Sequence, residues 1–66
     1  MGIGNRIKLA RVAKMLTQKQ VAAHLNVSER TYQRYEADDF EPNIKTLLAL
    51  ADLFDVTTDY LLGREK

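Results

Sequence analysis

The sequence predicts an all-α fold, a compact bundle of five short helices. Three observations carry that expectation. Apolar residues recur at helical spacing, as in Leu47, Leu50, Ala51 and Phe54, and no stretch alternates with the period of two that a half-buried strand needs. Helix-capping residues punctuate the chain at Thr17, Ser28, Asn43 and Thr57. The 66 residues, 45% apolar and 29% charged with one Pro and three Gly, suit one small globular domain spanning 1–66 with its core at about 3–63.

The first segment is expected from about Ile3 to Lys14, with Ile3, Ile7, Ala10 and Lys14 on one stripe. The second starts at Thr17, where Thr17-Gln18-Lys19-Gln20 reads as a capping box. Val21, Ala22 and Leu25 form its apolar stripe. Asn26 tolerates a left-handed backbone and can end it sharply. Ser28 caps a third segment that runs to about Glu36. Ala37-Asp38-Asp39-Phe40-Glu41-Pro42 has no period and reads as a loop. Asn43 caps the fourth segment, Ile44 to about Phe54, with Ile44, Leu47, Leu48, Ala51 and Phe54 facing inward. Thr57 caps the last, Thr58–Leu62, which Gly63 stops. The expected core is Ile3, Ile7, Val21, Leu25, Tyr32, Tyr35, Leu47, Leu50, Ala51, Phe54 and Leu61, with Leu16 closing it.

A chain of this size buries only about 60% of its unfolded surface. It has no room for a doubly wound cofactor domain. With no cysteine there is no disulfide, no thiolate nucleophile and no Cys-based zinc site. The single histidine, His24, reads as a packing or surface residue and cannot form a metal site alone. Asp38 and Asp39 are adjacent in a loop, without a Ser–His or Cys–His arrangement or a Gly-rich phosphate cradle. No enzyme, cofactor or metal is expected. The apolar runs are too short to span a membrane, and the N-terminus lacks a signal peptide's apolar stretch. A soluble cytoplasmic protein is expected.

The net charge of +1 conceals an asymmetry. Residues 1–34 set Arg6, Lys8, Arg11, Lys14, Lys19, Arg30 and Arg34 against Glu29 alone, for +6. Residues 35–66 set Lys45, Arg64 and Lys66 against eight acidic residues, for −5. Such a split points to a polyanionic partner for the basic half.

The second and third segments meet across a very short hinge and must cross steeply, which is helix-turn-helix geometry. On a wheel of about 100° per residue, Ser28, Tyr32 and Tyr35 share one arc. Glu29, Arg30, Gln33 and Arg34 share the opposite one. Arg matches guanine O6/N7, Gln matches adenine N6/N7, and Glu accepts from cytosine N4, so this face suits the DNA major groove. Phosphate contacts are expected beside it: Gln18 at a helix N-terminus, Thr31, Lys19, and with less support Arg6 and Lys45.

The chain resembles the Cro/Xre-type, phage-repressor-like helix-turn-helix family. The residues that carry the likeness are Ile7, Arg11, Leu16-Thr17-Gln18, Val21-Ala22, Leu25-Asn26-Val27-Ser28, Tyr32, Tyr35-Glu36, Pro42, Leu47-Leu48, Leu50-Ala51, Phe54-Asp55-Val56 and Tyr60-Leu61-Leu62-Gly63. The resemblance implies a lambda-repressor-like five-helix domain, with its helix-turn-helix at 17–36. It implies binding of double-stranded operator DNA, usually as a symmetric homodimer, to regulate transcription, most simply as a repressor on a palindromic site. It also implies a phosphate contact from Gln18, base reading by Glu29, Arg30, Gln33 and Arg34, and dimerisation near Val56–Leu62. It further implies an Arg11–Glu36 ion pair, which makes Arg11 partly structural although it too is a phosphate candidate.

Two departures stand out. Met15 occupies a place where the family often has Gly. Ala37-Asp38-Asp39 replaces an Asn-Gly after the Tyr-Glu pair, and acidity there works against phosphate contact. Leu9 and Val12 stand where the family usually has polar residues; they read as scattered surface apolarity, with a partner contact as the alternative. The competing function is a protein-interaction module, an antitoxin or antirepressor, favoured by the acidic second half.

Overall fold

The computed structural model describes residues 2–64. Met1, Glu65 and Lys66, which belong to the expected 1–66 domain and to the charge tally, lie outside the described residues. Five helices follow in order: α1 (Gly4–Ala13), α2 (Gln18–Leu25), α3 (Glu29–Glu36), α4 (Ile44–Phe54) and α5 (Thr58–Leu62). No strand occurs among the described residues. The expected α2 to α5 are reproduced, and α1 is a residue shorter at each end.

Four helices start alike. Thr17, Ser28, Asn43 and Thr57 have extended backbones and each accepts the N–H three residues on. At Thr17 the box is complete, since its own N–H donates to Gln20 Oε1 at 2.8 Å. α1 has no such cap of its own. Its Gly4 N–H donates instead to Asp38 Oδ1, 34 positions along the chain.

The helices also end alike. After α1 the Met15 N–H donates to Val12 O and the Leu16 N–H to Arg11 O. The same crossed pair recurs after α2 (Asn26 to Ala23, Val27 to Ala22) and α3 (Asp38 to Tyr35, Asp39 to Arg34). It recurs again after α4 (Asp55 to Asp52, Val56 to Ala51) and α5 (Gly63 to Tyr60, Arg64 to Asp59). This is the Schellman closure, which needs one left-handed residue per helix end. Met15, Asn26, Asp38, Asp55 and Gly63 fill that position, with φ from 57° to 75°. Met15 therefore adopts the conformation for which a glycine would be suited, and α1 ends in the same closure regardless.

The core consists of Ile7, Ala10, Val21, Ala22, Tyr32, Tyr35, Leu50, Ala51, Phe54 and Leu61. Ile3, Leu16, Leu25 and Leu47 are half-buried against it. Two expectations for α4 are corrected. Ile44 is 77% and Leu48 52% exposed. The inward stripe is Leu47, Leu50, Ala51 and Phe54, and Ile44 and Leu48, four apart, occupy its flank. Lys14 leaves the α1 stripe for solvent, where it approaches Asp55 at 3.9 Å. Ser28 is likewise exposed, because its hydroxyl is used as a cap rather than for packing. Gly4 is buried where α1 meets the end of α3. A Cβ there would collide with the Glu36 carbonyl and fall 2.8 Å from Tyr35 O.

Candidate nucleic-acid interface

The left-handed turn at Asn26 and the extended Ser28 set α3 directly against α2. α3 is anchored from within. Tyr32 and Tyr35 are buried and meet edge-to-face, with ring centroids 6.3 Å apart. The opposite side of α3 carries Glu29, Arg30, Gln33 and Arg34, all exposed. Arg30, Gln33 and Arg34 line an open hollow with Ala37 and Asp39.

A polar chain links this face to the interior. Arg11 Nε donates to Glu36 Oε2 at 2.6 Å, and Arg11 Nη1 to Leu16 O at 2.8 Å. Gln18 Nε2 donates to Glu36 Oε1 at 3.0 Å, and Gln33 Nε2 to Gln18 Oε1 at 3.3 Å. Four side chains from three helices are thus joined in series, from the core edge to the surface. Burial pushes the Glu36 carboxyl up. The hydrogen bond from Arg11, the nearby Tyr32 hydroxyl, the Gln18 amide and the charge of Arg11 together outweigh it, and Glu36 titrates below its ordinary value. Arg11 is raised in turn, chiefly by its hydrogen bond to Glu36. The Tyr32 hydroxyl is buried without a well-formed hydrogen bond, and desolvation, with the adjacent carboxylate, raises its pKa.

The ion pair implied by the family resemblance is therefore present. The side chains of Arg11 and Glu36 are only 13% and 5% exposed, and Arg11, also a phosphate candidate, is engaged by Glu36 and the Leu16 carbonyl.

The other phosphate candidates are dispersed. Gln18 joins the α3 face through Gln33. Thr31 Oγ1 accepts from Ser28 Oγ at 2.9 Å, within the cap of α3. Lys19 is exposed at the first turn of α2. Arg6 lies over the Tyr60 ring, 5.6 Å from its centroid, in a groove with Gly2, Asn5, Leu9, Leu62 and Gly63. Lys45 lines a separate groove with His24, Leu25, Thr46 and Ala49. Neither Arg6 nor Lys45 is joined to the α3 face.

Sequence reasoning missed two residues in the loop after α3. Asp38 reaches across to cap α1. Phe40 lies beneath Arg34, whose guanidinium carbon is 4.7 Å from the ring centroid. An aromatic residue alone in an acidic loop was the available signal. Leu9 and Val12 are exposed; in the stretch that the resemblance gives to dimerisation, Leu62 is exposed and Leu61 buried.

The fold and this outward polar helix, set on a sharp turn and braced by buried tyrosines, define a helix-turn-helix protein of the Cro/Xre, phage-repressor-like type. Residues 7–61 match the helix-turn-helix family model, and the chain belongs to that family. The HTH-type transcriptional regulator ImmR of Bacillus subtilis (strain 168) is 42% identical over 66 residues, 100% of this chain and 52% of the relative. The immunity repressor protein of Bacillus phage phi105 is 34% identical, over 98% of this chain and 45% of its own length. The chain thus spans about half the length of these relatives. The P22 c2 repressor protein, solved in complex with synthetic operator 9T, superposes with a TM-score of 0.88 at 29% identity, covering 98% of both chains. No described helix is long and apolar enough to cross a membrane.

Proposed function

We propose that this domain is a sequence-specific double-stranded DNA-binding transcriptional regulator. Its action is repression in the cytoplasm, as a homodimer on a palindromic operator. The observation that carries the reading is the simultaneous exposure of Glu29, Arg30, Gln33 and Arg34 on one face of α3, opposite the buried Tyr32 and Tyr35. Those four read base edges in the major groove. Gln18, Lys19 and Thr31 hold phosphates at its rim. The likeness to a repressor solved with its operator supports the same placement. In a dimer, two α3 helices would enter successive major grooves about 34 Å apart.

Selection of bound duplexes from a random pool tests this. A two-fold symmetric motif is expected. Arg34→Ala or Gln33→Ala should cost about 1–3 kcal/mol at one base position and relax specificity there. Affinity should fall steeply with salt. Failure to enrich any motif at low salt would overturn the reading in favour of a protein-interaction module.

A further inference from the structure

We infer that Phe40 is a specificity-determining positioning residue, holding the Arg34 guanidinium in the orientation that reads a base pair. The inference rests on the DNA-reading role of α3 given above.

Arg34 is an exposed arginine on the last turn of α3, where a long side chain would ordinarily sample many rotamers. Here its guanidinium lies 4.7 Å from the centroid of the Phe40 ring. With the guanidinium carbon over the ring, the N–H donors directed away from the ring stay available for a bidentate acceptor such as guanine O6/N7.

The ring itself is held. The Asp39 and Phe40 N–H groups both donate to the Arg34 carbonyl, at 3.0 and 3.4 Å, so the loop folds back over the residue it braces. Asp38, one position earlier in that loop, is tied to α1 through Gly4. The ring is therefore mounted on a segment fixed at two points. Phe40 is 46% exposed and lies outside the buried core cluster, and its ring meets the Arg34 guanidinium. Ordering Arg34 before binding reduces the rotamer freedom lost when the duplex arrives.

The test uses Phe40→Ala, Phe40→Leu and Phe40→Trp, alone and with Arg34→Ala, on the selected duplex, on variants changed at one base pair, and on a mixed-sequence duplex. Phe40→Ala and Phe40→Leu should each reduce discrimination about fivefold, at the base pair that Arg34→Ala affects and at no other. Phe40→Trp should restore it. In the Arg34→Ala background, Phe40→Ala should change nothing further. A uniform loss across all duplexes, or an undiminished effect without Arg34, would overturn the proposal while leaving the DNA reading intact. A failure to select any motif would overturn both. In the free protein, ring-current shifts of the Arg34 Cδ protons should be present and should vanish in Phe40→Leu. Their absence would overturn the stack without reference to DNA.

Discussion

The Asp38 carboxylate accepts the backbone N–H of Gly4 at 2.8 Å, and so caps a helix that begins 34 residues earlier in the chain. The same residue holds the left-handed turn that closes α3, at φ 63°. One residue therefore ends one helix through its backbone and starts another through its side chain. Asp38→Ala should cost about 2 kcal/mol, combining a lost cap with left-handed strain. Asp38→Asn keeps an acceptor oxygen and tolerance of that backbone, and should cost much less. Urea unfolding of the two variants checks this; equal losses would show that an acceptor oxygen and left-handed tolerance at this position do not preserve stability.

Gly4 faces a conflict between propensity and packing. Alanine is the better helix former by about 1 kcal/mol. A Cβ at Gly4, however, meets the Glu36 carbonyl, which is backbone and cannot step aside cheaply. Gly4→Ala should therefore destabilise the fold by about 1–3 kcal/mol. Its melting temperature should fall.

Met15 presents the opposite case. It is 90% exposed and left-handed at φ 60°, so it contributes strain and little packing. Met15→Gly should raise stability by about 0.5–1 kcal/mol, the relief of strain exceeding glycine's extra freedom in the unfolded chain. Thermal unfolding shows it as a higher midpoint.

Glu36 sets a dependence on pH. Its folded pKa lies below the ordinary 4.5, so the folded state holds its carboxylate ionised more firmly than the unfolded chain does. The stability it supplies is complete above that ordinary value and drains away as pH falls through the lower folded one. Glu36→Gln should cost about 2 kcal/mol near neutral pH, the size of a charged hydrogen bond. The gap to the unmodified protein should close in strong acid. A gap that stays constant down to acid unfolding would show that Glu36's charge is not what matters.

The flank of α4 gives a simple contrast. Ile44→Gln and Leu48→Gln should each stay within about 0.5 kcal/mol of the parent, since both side chains are largely in water. Leu50→Ala, at a fully buried position, should cost about 2–5 kcal/mol. Chemical denaturation of the three variants separates the two faces.

The sequence by itself determined the helices. Caps and stops are local chemistry: Thr17, Ser28, Asn43 and Thr57 each bond a backbone group three residues away, and Asn26 and Gly63 accept a left-handed turn. It also determined which side of α3 is polar, because Tyr32 and Tyr35 fix the wheel once the helix is granted. The direction of α4 was less legible. Ile44 and Leu48 are as apolar as the residues that do turn inward, and only the position of neighbouring helices chose between adjacent stripes. The loop after α3 was least legible. Asp38 and Phe40 act on Gly4, far along the chain, and on Arg34, across a turn. A carboxylate carries no mark of which distant N–H it will meet, and a ring carries none of which cation will lie on it. The first pairing follows from the packing of α1 on α3 and the second from the path of the chain over the end of α3, and so both belong to the folded structure.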